Sequence, residues 1–191
     1  MRLGCVIMAA GSSSRFGGNK LLTKLEGVPL YRRALEAVPP GVFDRVTVVT
    51  GYEEIAAAAA AKGFAVAENR QPEQGVSLTI RLGLESMADC DGVLFMAADQ
   101  PCLTADTVKK LAAAFAAAPR CIHGAAANGQ RGNPCVFPSD LFPALLALQG
   151  DTGGARVIRS HMDRLRLTEV PPRELLDADT PEALEYLAKK H

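Results

Sequence analysis

The chain begins with an unbroken apolar run, Leu3 to Met8, that stops abruptly at Ala9-Ala10-Gly11. A run this short, apolar at consecutive positions, predicts a strand over 2–8 buried on both faces, as in a parallel sheet. Arg45 to Thr50 (RVTVVT) is β-branched and reads as a second buried strand, and the apolar signature recurs at Gly92 to Ala97 (GVLFMA) and in brief at Phe64 to Ala67. Between these runs the spacing turns helical. Helices are predicted from Gly27-Val28-Pro29 to about Val38, ended by Pro39-Pro40-Gly41, and from Gly51-Tyr52-Glu53-Glu54 to about Lys62, closed by Gly63. Two more run from Ser77 to about Met87 and, capped by Thr104, to about Ala118. Strand and helix alternating at this interval predict an α/β chain, a doubly wound, mostly parallel sheet with helices on both faces. The later chain is less regular, with strands predicted over 120–125, 134–137 and 165–170, a Gly-rich turn over 128–133, helices over 139–148 and 154–160, and a last helix from Pro181.

Bulk properties narrow the class. A chain of 191 residues fits one domain with a real core. Lys+Arg and Asp+Glu are both 21, so nothing in the charge balance suggests nucleic acid or an anionic membrane as partner. The five cysteines, Cys5, Cys90, Cys102, Cys121 and Cys135, are scattered without a C-x-x-C, and no apolar stretch approaches a membrane span. A cytoplasmic protein with reduced thiols is expected. Three dispersed histidines offer no histidine-rich metal site.

The candidate chemistry gathers where strands end. Ala9, Ala10 and Gly11 leave the main chain open to close approach, Ser12 and Ser13 add hydroxyls, and Arg15 and Lys20 add a planar fork and a mobile point charge. The combination suits a polyphosphate. It is neither the dinucleotide fingerprint, because Gly11 is followed by Ser12-Ser13, nor the nucleoside triphosphatase loop, because Phe16 stands where a second glycine belongs. At the end of the 92–97 run, Asp99 precedes Gln100-Pro101, the place and residue type for a Mg²⁺ ligand. A second carboxylate is available at Asp177 or Asp179, although Asp179 or Thr180 also suits the cap of the last helix.

The segment A-A-G-S-x-S-R-F-G-x-x-K-L-L resembles the signature loop of the nucleotidyltransferase superfamily, and within it the molybdenum cofactor cytidylyltransferase branch of the MobA-like NTP transferases. Three further stretches resemble elements of that family in the same order: Asn69 through Gly75 and Ser77 to Gly83, Gly129-Gln130-Arg131-Gly132-Asn133-Pro134, and Gly150-Asp151-Thr152-Gly153-Gly154-Ala155-Arg156. The resemblance implies a Rossmann-like single domain whose first half, about 1–100, binds nucleotide and whose second, about 101–191, binds the acceptor. It implies Mg²⁺-dependent transfer of CMP from CTP to the terminal phosphate of molybdopterin, with release of pyrophosphate. Arg15, Lys20 and Asp99 are then catalytic. The nucleotide lies on Ala9, Ala10, Gly11, Ser12, Ser13, Arg15, Lys20, Asn69, Gly75, Ser77 and Asp99, and the metal on Asp99 with Asp179 or Asp177. The acceptor lies on Gln100, Arg131, Asn133, Asp151 and Arg156, and a molybdoenzyme or chaperone is implied as a downstream partner. The chain departs from the family pattern at Asn133 (usually histidine), at Arg70 (usually proline) and in the doubled Gly153-Gly154. A guanylyl- or sugar-phosphate nucleotidyltransferase, or a non-catalytic nucleotide or cofactor carrier, remains open.

Overall fold

The computed structural model of the chain describes residues 1–11 and 19–189. Its first half contains β1 (Leu3–Met8), β2 (Lys24–Leu25), β3 (Val28–Pro29), α1 (Leu30–Glu36), β4 (Arg45–Thr50), α2 (Glu53–Ala61), β5 (Ala65–Glu68), α3 (Val76–Glu85) and β6 (Gly92–Ala97). The second adds α4 (Ala105–Ala117), β7 (Ile122–Ala127), β8 (Gln130–Pro138), α5 (Phe142–Leu146), α6 (Ala155–Arg159), β9 (Leu165–Glu169) and α7 (Pro181–Lys189).

Seven strands form one sheet in the order β5-β4-β1-β6-β8-β7-β9. All neighbours pair in parallel except β8, which runs against both β6 and β7. The single-domain, mostly parallel α/β fold expected from the sequence is therefore present. Strand β1, apolar at consecutive positions, divides its side chains by the two-residue period of a strand. Leu3, Cys5 and Ile7 join α1, α2 and α4 on one face, and Val6 joins α3, α5 and α6 on the other. A third cluster, Leu25 and Leu30 with Ala178, Leu184 and Leu187, seats α7 on the small β2–β3 hairpin.

Some expectations need correction. The Gly-rich turn predicted over 128–133 closes at once: Asn128 and Gly129 both take positive φ (53° and 75°), the two-residue hairpin turn, and β8 already begins at Gln130. The β2–β3 hairpin was not anticipated; Glu26 and Gly27 (φ 52° and 81°) make its turn. The helix expected over 139–148 is a 3-10 turn, Ser139–Leu141, followed by the short α5. Among the described residues no helix is long and apolar enough to cross a membrane. All five cysteines are free, with Cys5, Cys90 and Cys135 buried and Cys102 packed against the third cluster.

The register fixes where chemistry can gather. Met8 pairs with Val49 of β4 and with Ala97 of β6, so these three strands end together on one edge of the sheet. Strand β8, pairing Cys135 with Phe95, runs the other way and brings its first residues, Arg131 to Asn133, to the same edge.

Candidate active site

Lys20 is held by its own turn. Asn19 accepts the Leu21 N–H on Oδ1 at 3.0 Å and opens the 3-10 turn Lys20–Leu22, which the buried Leu21 anchors in the core. From that base the Lys20 ammonium reaches Asp99 Oδ2 and Asp179 Oδ1, each at 2.6 Å. Asp99 follows Ala98, whose N–H donates to the Met8 carbonyl at 3.1 Å and so extends β6 past its last paired residue. Asp179 arrives from a different direction. Its neighbour Ala178 is fully buried and donates its N–H to the Asp99 carbonyl at 2.8 Å, fixing the acidic segment against the end of β6. Thr180, not Asp179, caps α7, accepting the Ala183 N–H at 3.2 Å. Asp179 is thus available to the lysine.

Electrostatics follow the geometry. Burial pulls the Lys20 pKa down, but hydrogen bonds to Asp179 and Asp99 and their charges outweigh it, and the net shift is upward. Asp177, on the other flank of Ala178, is pushed up to about 6 by burial of its carboxyl and by the charges of Asp99 and Asp179, against a hydrogen bond from Gln100 and the charge of Lys20. Asp99 Oδ1 is buried and has no hydrogen-bond partner. Among the described residues no three His, Cys, Asp or Glu side chains converge on one point. A dication here would have the hard oxygens of Asp99 and Asp179 and would take its other ligands from phosphate and water, the habit of Mg²⁺. The residues present fit that ion: hard oxygens, one of them unpartnered, already gathered around a cation.

Of the nucleotide-side candidates, Ser12, Ser13 and Arg15 lie outside the described residues. Ala9 and Ala10 are buried at the end of β1, and the Ala9 N–H is committed to the Val49 carbonyl at 2.8 Å, so open main-chain donors can begin only at Ala10. The Gly11 carbonyl accepts the Tyr52 hydroxyl at 3.3 Å. Asn69, 1 % exposed, uses its whole side chain internally: Nδ2 donates to Thr79 Oγ1 at 3.1 Å and Oδ1 accepts the Gln71 N–H at 3.0 Å. Ser77 is buried and donates its N–H to the Gly150 carbonyl at 3.2 Å. Asn69 and Ser77 shape the loop from within.

The acceptor-side candidates divide. Arg131 and Asn133 border a cavity of about 190 Å³ floored by Met8, Ile80, Phe95 and Phe137. Gly153 and Gly154 also line it. Asp151 lies apart and meets α3, its Oδ1 3.4 Å from the Val76 N–H. Arg156 is exposed. Gln100 is 2 % exposed; its Nε2 donates to the Leu175 carbonyl at 3.3 Å, its side chain also bonds Asp177, and its Oε1 is buried without a partner. Sequence reasoning missed Tyr52 and Ala178. An aromatic directly after a strand end is a weak signal for the first, and an alanine between two acids gives none for the second.

The family described as the MobA-like NTP transferase domain matches residues 5–165. The purine catabolism protein PucB of Bacillus subtilis is 30% identical over 197 residues, covering 96% of this chain and 95% of that protein. A molybdenum cofactor guanylyltransferase of Rhodobacter capsulatus is 33% identical over 118 residues, 60% of each chain. The crystal structure of Rv0371c from Mycobacterium tuberculosis superimposes with a TM-score of 0.81 over 100% of this chain and 99% of that one; at 24% identity the likeness is one of fold. This chain belongs to the MobA-like NTP transferase family and is a nucleotidyltransferase.

Proposed function

We propose that the chain transfers CMP from CTP to the terminal phosphate of a molybdopterin-type acceptor and releases pyrophosphate, with Mg²⁺ as cofactor. The observation that carries the reading is the Lys20 ammonium between Asp99 and Asp179 on the strand edge that also bears the cavity of Arg131 and Asn133. A phosphate monoester has a second pKa near ~6, so at neutral pH the acceptor is already a dianionic nucleophile and needs no strong base. The protein's work is alignment and charge neutralisation.

In this reading Lys20, whose pKa is held above its ordinary value, stays charged through neutral pH and, with Arg15, draws charge from the departing pyrophosphate. Mg²⁺ held by Asp99 and Asp179 would supply the remaining neutralisation at the α-phosphate. Arg131 and Asn133 grip the acceptor, and the apolar floor of their cavity takes its flat ring and keeps water out. Residues about 1–100 then serve the nucleotide and about 101–191 the acceptor, with a cytoplasmic molybdoenzyme or its chaperone receiving the product. The test is pyrophosphate release from CTP, GTP and UTP, each with and without molybdopterin. Release from CTP only when molybdopterin is present is expected; release with a sugar phosphate in its place would refute the acceptor. The Rhodobacter relative, by its name a guanylyltransferase, favours GTP as second reading, and the GTP arm decides it.

A further inference from the structure

We propose that Lys20 is a placeholder for the divalent ion: without nucleotide its ammonium occupies the point between Asp99 and Asp179, so the ion is admitted only together with a nucleoside triphosphate. The inference rests on the reading above, that these two acids hold a metal.

The geometry is specific. A single ammonium lies 2.6 Å from a carboxylate oxygen of each acid, and Lys20 and Asp99 are largely shielded, with side-chain exposures of 15% and 21%. Two carboxylates brought to one point repel each other unless a cation stands between them, and here the chain supplies that cation itself. A dication on the same two oxygens would meet the ammonium as a like charge at contact range in a partly shielded site. Lysine and metal therefore alternate. A lysine can make that exchange where an arginine could not do so readily, because its charge is compact and its four-carbon stem flexible. What the exchange requires is another anionic partner for Lys20, and a polyphosphate on the strand edge provides one. Asp99 Oδ1, buried and unpartnered, is the oxygen that the ammonium leaves unused.

The consequence is an order of binding. Free divalent ions must displace Lys20 from both carboxylates, and their apparent affinity is reduced to the fraction of time the lysine is away. An ion arriving with a triphosphate brings Lys20 another anionic partner.

The test is water-proton relaxation by Mn²⁺ on the full chain, so that no turnover is read. Wild-type protein is expected to leave Mn²⁺ free until a non-hydrolysable nucleoside triphosphate analogue is added. Lys20→Met is expected to take up Mn²⁺ alone at least about tenfold more tightly than wild type, and adding Asp99→Asn to it should abolish the gain. Wild type binding Mn²⁺ alone as tightly as Lys20→Met, or Lys20→Met binding no better than wild type, overturns the proposal. If circular dichroism finds Lys20→Met unfolded, Lys20→Gln takes its place, and wild-type uptake that is the same with and without the analogue also overturns it. A chain that releases no pyrophosphate from any nucleotide would sink the proposed function while leaving this relaxation result intact, so the two failures are distinguishable.

Discussion

Replacing Gly75 by alanine tests how the loop that opens α3 is joined to the loop of residues 150–154. Gly75 has φ +84° and ψ −177°, a region populated essentially by glycine, and forcing another residue there costs about 1–3 kcal/mol. An added Cβ would also stand 2.4 Å from the Gly150 carbonyl carbon and 2.5 Å from both the Asp151 nitrogen and the Gly150 oxygen. These are backbone atoms, and no rotamer moves them aside. The 150–151 segment must retreat, giving up the Ser77 N–H bond to the Gly150 carbonyl, about 1 kcal/mol net. The sum is about 3 kcal/mol, or roughly 6–12 °C in Tm for a chain of this size. Gly150→Ala is the control: its φ is +60°, but nothing lies within 4 Å of its Cβ, so only the left-handed penalty of about 1–2 kcal/mol applies. Thermal and urea unfolding of both variants measure the difference. A Gly75→Ala protein no less stable than Gly150→Ala would refute the idea that these loops are locked backbone to backbone.

Three further outcomes are expected. Asp99→Asn should lower pyrophosphate release by roughly 10²–10³ while Tm changes little; near-native turnover would remove Asp99 from the reaction. His123 is 4 % exposed, packs edge-on against Phe115 and bonds the Ala118 carbonyl through Nε2 at 3.0 Å; burial, the largest influence on it, holds its pKa below the ordinary 6.5. The unfolded chain therefore takes up a proton before the folded one does, so this contribution is complete above pH 6.5 and declines as pH falls below it; Tm measured at pH 7.5 and 5.5 should drop less in His123→Gln than in wild type. Ala178→Leu should cost about 1–3 kcal/mol by overpacking and should impair turnover as well, since Ala178 sets the positions of both flanking acids; unchanged urea unfolding would contradict its anchoring role.

How much of this was legible depends on what each residue's role required. Strands β4 and β6 were bounded to the residue because a β-branched run in the first and an apolar run in the second each stop abruptly. The Thr104 cap was legible because a hydroxyl at that position has one favoured use, and it accepts the Thr107 N–H at 3.3 Å. The β2–β3 hairpin was not, since two residues per strand leave no periodicity and Pro29 read as a helix start. At the site, Lys20, Asp99 and Asp179 could each be picked out as charges at element ends. Residue type alone did not show that the Asn69 amide bonds Thr79 and the Gln100 Nε2 bonds the Leu175 carbonyl. Contacts spanning 79 and 159 positions in sequence are set by packing, above all by the burial of Ala178, and nothing local announces them.

The reversal of β8 explains how residues from both halves of the chain meet on one edge of the sheet. In a purely parallel arrangement each strand delivers only its last residues to the ligand edge, and whatever precedes a strand emerges at the opposite end. Because β8 runs antiparallel beside β6, pairing Cys135 with Phe95, the residues at its start are carried to the edge where β1 and β6 finish. Arg131 and Asn133 thereby share a cavity with Met8, the last residue of β1, without any long loop to bring them there. The Ala178 N–H on the Asp99 carbonyl adds a third approach to the same edge from the far end of the chain. Arg131 and Asn133 are placed by strand pairing and Asp99 and Asp179 by main-chain bonds at the end of β6, while Lys20 arrives by the reach of its side chain from the neighbouring 3-10 turn. A nucleotidyltransferase depends on alignment more than on an activated nucleophile, and positions set by the sheet are the ones least able to drift.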